Sequence, residues 1–191
     1  MGILAKASHF HVVHGFCLFL LLATQDAQAA DTVTLRGRAS VIDGDTIEIH
    51  GRRIRLFGID AVESGQRCER NGKPWLCGRD SAFALADKIS QRPIECAGDE
   101  FDRYKRLIAR CFLNGEDLNG WMVENGWAVA FRRYSEQYIG QETRARNKQL
   151  GLWSGAFDMP WDWRGRKQNG RAIRPKPPTT QPPATVMGAP G

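Results

Sequence analysis

Two short segments hold the side chains best able to do chemistry: Asp43-Gly44-Asp45-Thr46, and Arg55 followed by Asp60-Ala61-Val62-Glu63. Taken singly, each is ordinary. Asp-Gly is common turn chemistry, and an arginine in an alternating run reads as a solvated strand residue. Together they flank a strand pair, so Asp45 and Asp60 can meet at one end of a sheet. Two carboxylates, a backbone carbonyl and water make a hard-oxygen site that suits Ca²⁺ or, less specifically, Mg²⁺. A phosphodiester held there needs its developing negative charge stabilised, which arginines do well. Glu63 then activates or orients the attacking water. One geometric demand follows. Arg55 and Asp60 lie five apart, and strict strand alternation places them on opposite faces. Gly58 must therefore introduce a bulge or twist.

Two further clusters mix cations with aromatics. Asp102-Arg-Tyr-Lys-Arg106 supplies a second arginine, Arg106, and a ring, Tyr104, that can stack on a base. Phe131-Arg-Arg-Tyr134 repeats the pairing. As isolated segments both read as charged loops, and the tryptophans read as packing residues. Absences narrow the chemistry. His9, His11 and His14 precede the fold, which leaves His50, and there is no G-x-S-x-G or Walker motif. Histidine-centred hydrolysis and His-rich zinc sites are poorly supported.

These residues need elements to hold them. Residues 33–59 read as three short strands, 80–89 as a helix, 93–96 and 107–113 as two more strands, and 117–127 and 135–149 as two helices. Ser135 is the expected N-cap of the last helix. That order gives an α+β fold, a five-stranded OB-fold β-barrel with three α-helices. Residues 1–29 carry Lys6, an apolar run over 15–23 and Ala27-Gln28-Ala29, the pattern of a cleaved secretory signal peptide. The run is about half of the ~20 residues that span a bilayer. The folded domain is expected over 30–163. Residues 164–191 are basic and proline-rich and read as a disordered tail. The formal charge of +6 belongs to that tail, so overall basicity says little about nucleic acid. Cys68, Cys77, Cys96 and Cys111 are an even set in an exported chain, which reads as two disulfides. Three connectivities are open. Local loop closure favours Cys68–Cys77, and antiparallel strand pairing favours Cys96–Cys111. Their spacing does not suit zinc.

The ordered set Val41-Ile-Asp-Gly-Asp-Thr46, Arg55-Leu56, Ile59-Asp60, Glu63, Asp102-Arg-Tyr-Lys-Arg106, Gly126-Trp127-Ala128 and Gly151-Leu-Trp-Ser154 resembles the thermonuclease (staphylococcal-nuclease-like) family. The likeness covers about Val33 to Trp153. It implies an OB-fold barrel with three helices and a Ca²⁺-dependent endonuclease acting on DNA and RNA and leaving 3′-phosphates. From the segment 1–29 the protein is expected to be secreted or periplasmic with no stable membrane anchor, and a monomer is expected. By position Asp45 and Asp60, with the Ala61 carbonyl, resemble the metal ligands. Arg55 and Arg106 resemble the phosphate-binding arginines, Glu63 the general base, and Tyr104 and Tyr134 the nucleotide-pocket tyrosines. The chain departs from the pattern at Ala61 (often Thr), Val62 (Pro), Lys105 (Gly) and Arg132 (a pocket tyrosine). Two other readings stand beside it: a non-catalytic OB module, and a phosphodiesterase for small nucleotides or lipid head groups. A binding module has no need of acids beside a polyanion, and the length of the groove separates the other two.

Overall fold

The computed structural model describes residues 31–170, so the expected signal segment and the chain beyond 170 lie outside the described residues. In chain order the elements are β1 (Val33–Asp43), β2 (Thr46–Ile49), β3 (Arg52–Leu56), β4 (Ile59–Ala61), β5 (Cys68–Arg70), β6 (Lys73–Trp75), α1 (Cys77–Ile89), β7 (Pro93–Phe101), β8 (Leu107–Leu113), β9 (Glu116–Asp117), α2 (Leu118–Glu124), β10 (Ala128–Ala130), α3 (Ile139–Asn147), a 3₁₀ turn (Gly151–Ser154) and α4 (Pro160–Gln168).

Five strands close a barrel. The sheet runs β3-β2-β1-β7-β8, and β3 then pairs with β8 in parallel, Ile54 opposite Leu107 and Leu56 opposite Ala109. Closure removes the open edges that a flat sheet of this length would expose. The alternation seen in the sequence has its expected cause: Ile47 and Ile49 of β2, and Ile54 and Leu56 of β3, fill the interior. Leu85 and Ile89 of α1, and Leu118 and Met122 of α2, join the same core. A second apolar cluster of Val62, Val129, Ala145, Leu152, Trp153 and Phe157 lies beneath the later helices. Both favoured disulfides form. Cys96 and Cys111 are direct cross-strand partners on β7 and β8, while Cys68–Cys77 ties the β5–β6 hairpin to the start of α1.

The barrel and the α+β class are as read from the sequence, and the helices are where the two differ. Among the described residues there are four α-helices, because the boundary expected after Trp163 falls inside α4. Pro160 occupies the helix N-terminus, where its missing N–H costs nothing. Trp163 is buried, and Arg166 forms an ion pair with buried Asp158. Residues 164–168 therefore belong to the folded domain. Helix α3 begins at Ile139, four residues beyond Ser135. The Ser135 hydroxyl caps a preceding turn by accepting from the Gln137 N–H at 3.1 Å. Tyr138 ends that turn with its ring buried and its hydroxyl donating to Asp117 at 2.9 Å.

Candidate active site at the barrel mouth

Three connections meet at one end of the barrel: the β1–β2 turn, the β3–β4 turn and the β7–β8 loop. A groove of about 750 Å³ runs between them, lined by Asp45, Arg55, Glu63, Tyr104, Arg106 and Tyr134 among others. The first two turns are joined through the backbone, the Leu56 N–H donating to the Asp45 carbonyl at 2.8 Å. Asn119, fully buried, donates from Nδ2 to the carbonyls of Phe57 and Ala109 at 2.9 and 3.2 Å. That amide fixes the chain where it leaves β3.

Gly58 resolves the alternation problem. Its φ is +74°, a left-handed conformation that costs a side-chain-bearing residue roughly 1–2 kcal/mol. The strand stops at Leu56, turns at Phe57–Gly58 and restarts as β4, which pairs with β10 rather than with the barrel. The expected bulge is thus a full corner. It resets the strand parity, and Arg55 donates from Nη2 to Asp60 Oδ1 at 2.8 Å.

Asp45 and Asp60 are buried at 4 % and 0 % exposure and share Arg55, whose Nη1 meets Asp45 Oδ1. The Ala61 N–H donates to Asp45 Oδ2 at 2.7 Å, and the Thr46 hydroxyl donates to Oδ1 at 3.1 Å. Burial pulls the Arg55 guanidinium below the usual arginine value, and the charge of Asp60 works in the opposite direction. Neighbouring Asp43 also lines the groove. Burial raises its carboxyl above the ordinary range, against the opposing pull of Arg55.

Arg106 is held from several sides. Asp102 accepts from its Nε at 2.7 Å and from its backbone N–H at 3.0 Å, and Arg106 Nη1 donates to Thr46 Oγ1 at 3.2 Å. Burial alone raises Asp102, but these hydrogen bonds and the one from the Tyr104 N–H outweigh it and hold the carboxyl below its ordinary value. Tyr104 and Tyr134 stand 64 % and 66 % exposed on the groove walls. Arg106 lies over the Tyr104 ring at 5.4 Å, and Tyr134 packs edge-on against Phe131 at 4.9 Å.

Glu63 sits just beyond β4. Its loop is clamped by Gln66, which is fully buried. The Gln66 N–H donates to the Glu63 carbonyl at 2.7 Å, its Oε1 accepts from the Glu63 N–H at 3.3 Å, and its Nε2 donates to the Asp158 carbonyl at 2.7 Å. Gly78 of α1 passes so close that an added Cβ would lie 1.7 Å from the Glu63 carbonyl oxygen.

The structure brings Asp45, Arg55, Glu63, Tyr104, Arg106 and Tyr134 to one groove, with Asp60 and Ala61 hydrogen-bonded to its floor and the four disulfide cysteines apart from it. Arg132 turns away to pair with buried Glu142, leaving Arg133 and Tyr134 to line the wall. Three participants were not expected: Gln66, Asn119 and Arg164. A lone amide in a polar loop carries no signal in the sequence. Arg164 had one, since Pro160 followed by Asp162 is a helix start. Its guanidinium reaches back from α4 to donate to Asp60 Oδ2 at 2.7 Å, Asp60 Oδ1 at 3.2 Å and Glu63 Oε1 at 2.7 Å. Burial opposes its charge, but the two carboxylates outweigh burial and hold it above the usual arginine value.

The donor set suits a hard divalent cation. It consists of buried carboxylate oxygens with no sulfur or imidazole near, and the positive charge these oxygens demand is here supplied by guanidinium groups. Among the described residues no three acidic, histidine or cysteine side chains converge into a ready-made cage. Such an ion would be completed by backbone oxygen and water.

The sequence also matches known proteins. The sequence model of the family described as Staphylococcal nuclease homologue matches residues 53–155. The chain is 41 % identical over 143 residues to the succinoglycan biosynthesis protein ExoI of Rhizobium meliloti, covering 73 % of this chain and 74 % of that one. It is 32 % identical over 147 residues to the micrococcal nuclease of Shigella flexneri, covering 68 % and 79 %. An uncharacterized endonuclease of Haemophilus influenzae is 28 % identical over 164 residues, covering 82 % and 86 %. The chain belongs to the staphylococcal nuclease homologue family, and with it to the phosphodiester hydrolases.

Proposed function

We propose that this chain is an exported, calcium-dependent endonuclease that hydrolyses DNA and RNA. The observation that supports this most is the sharing of Arg55 by Asp45 and Asp60 at the floor of a groove that also holds Glu63 and Arg106. Asp45 and Asp60, with the Ala61 carbonyl, would hold the cation, and Ca²⁺ bound there supplies polarisation of a phosphate oxygen and an ordered water. Glu63 takes the proton from the attacking water. Arg55 and Arg106 donate to the phosphate oxygens as charge builds on them, and Asp102 keeps Arg106 aimed. Tyr104 and Tyr134 stack on the flanking bases. The groove is open and bounded by exposed rings, which favours a polymeric strand over a small nucleotide.

Two disulfides favour an oxidising compartment, secreted or periplasmic, reached through the segment 1–29. Among the described residues no helix is long and apolar enough to cross a membrane. We take the protein to act as a monomer, since one chain carries the whole constellation.

The test is digestion of denatured DNA and of RNA by the purified chain, with Ca²⁺ or with excess chelator, followed by analysis of the new termini. Calcium-dependent internal cleavage leaving 3′-phosphates supports the reading. A folded protein that cleaves neither polymer with Ca²⁺, Mg²⁺ or Mn²⁺ overturns it.

A further inference from the structure

The contact between Arg164 and the acidic side chains does more than neutralise them. Its guanidinium engages both oxygens of Asp60 and one oxygen of Glu63 with three hydrogen bonds. Asp60 has no exposure to water, and its Oδ1 is also taken by Arg55. A hard cation binds a carboxylate at roughly 2.3–2.6 Å through the same lone pairs. With Arg164 in place, three of the roughly four acceptor positions on Asp60 are taken, two of them by this guanidinium. A dication drawn to the same buried carboxylate meets that positive charge and competes with it.

The arginine is built to leave. Its side chain is 36 % exposed, so it can swing into solvent by rotating about its own bonds. The helix that carries it is anchored separately, through buried Trp163, the Arg166–Asp158 ion pair and the stacking of Trp161 on Phe131 at 5.8 Å. Losing the Arg164 contacts therefore does not require α4 to unfold. The same contacts tie Oε1 of Glu63, one of the two oxygens of the proposed base, to the guanidinium.

We propose that Arg164 is an internal cation that competes with the divalent ion for Asp60 and Glu63, so that it sets the ion affinity of the site and withholds Glu63 until the ion arrives. This rests on the assignment of Asp45 and Asp60 as the metal carboxylates. Ion entry is an exchange: the guanidinium moves to solvent with its charge intact, and the dication takes its place. The affinity for Ca²⁺ is then lower than the carboxylates alone would give, by the equilibrium constant of the Arg164 contacts. The site assembles and the base is released in the same event.

The experiment is calorimetric titration of Ca²⁺ into the purified full chain, without substrate, for the wild type, Arg164→Gln and Arg164→Lys. Circular dichroism checks that each variant is folded. Removing the guanidinium is expected to tighten Ca²⁺ binding by roughly tenfold, the factor that ~1.4 kcal/mol of competing interaction represents. The lysine variant, with a point charge in place of a fork, is expected to fall between the two. Should the glutamine variant not fold, the lysine variant carries the test, with tighter binding again expected. Equal or weaker binding in the folded variants overturns the competition and makes Arg164 a support for the carboxylates. Absence of Ca²⁺ binding in wild type and variants alike overturns the metal assignment instead, and the competition with it.

Discussion

Arg55 donates to Asp60 at 2.8 Å although the two stand five positions apart along a nominal strand, and Gly58 at φ +74° makes that contact geometrically attainable. An alanine here would take a left-handed conformation and push its Cβ to 3.0 Å from the Tyr138 ring. Gly58→Ala is expected to destabilise the fold by roughly 1–3 kcal/mol, measured by urea unfolding, and to lower activity by misplacing Asp60 against Arg55.

Lys105 presents the opposite case. It has φ +60° in the β7–β8 loop, at the position where the family pattern carries glycine. The strain of a left-handed lysine outweighs the extra backbone freedom glycine has in the unfolded chain. Lys105→Gly is expected to raise stability by about 0.5–1 kcal/mol, seen as a higher unfolding midpoint without a change in the denaturant slope.

Asp102 aims Arg106 through its side chain and its backbone. Asp102→Asn is expected to lower kcat/KM by roughly 10- to 100-fold with the fold retained, because a misaimed arginine loses contact with the charge that builds in the transition state. The carboxyl is held below its ordinary value of 3.8, so the stability it contributes is complete above about pH 3.8. That contribution is lost as pH falls through the depressed value. The stability gap between wild type and Asp102→Asn is therefore expected to close below pH 3.8, in an acid titration followed by fluorescence.

Tyr138 reports on the other end of the pH scale. Burial, then the charge of Asp117, raises its hydroxyl above the ordinary 10.0. The unfolded chain releases this proton first, so the native state holds more protons and stability falls as pH rises above 10. Tyr138→Phe has no hydroxyl to titrate. It is expected to lose stability less steeply above pH 10, by up to ~1.4 kcal/mol per pH unit, at the cost of the hydrogen bond to Asp117 at neutral pH.

Much of this arrangement was legible in the residues. The alternation in β2 and β3 reflects one buried face, and the Asp-Gly-Asp turn and Gly58 both mark places where the backbone must change direction. The pairing of Cys96 with Cys111 follows from the register of β7 on β8. The parts that were missed depend on contacts distant in sequence. Gln66 matters because it bridges to Asp158, ninety-two residues later, and nothing local to a Ser-Gly-Gln loop signals that. By composition Arg164 reads as tail, because its neighbours are basic and proline follows. Its place in the site is decided by the burial of Trp163 and by two carboxylates more than one hundred residues upstream. The extra helix was hidden for the same reason, since composition describes solubility and not docking.

The most direct measurement of the central claim is the rate of DNA cleavage by Glu63→Gln at saturating Ca²⁺, alongside its Ca²⁺ affinity. The account requires a loss of ~10²-fold or more in kcat with the cation still bound and the fold intact, because Glu63 accepts the proton from water and the cation is held by Asp45 and Asp60. Cleavage at the wild-type rate by the folded, Ca²⁺-bound variant would contradict it.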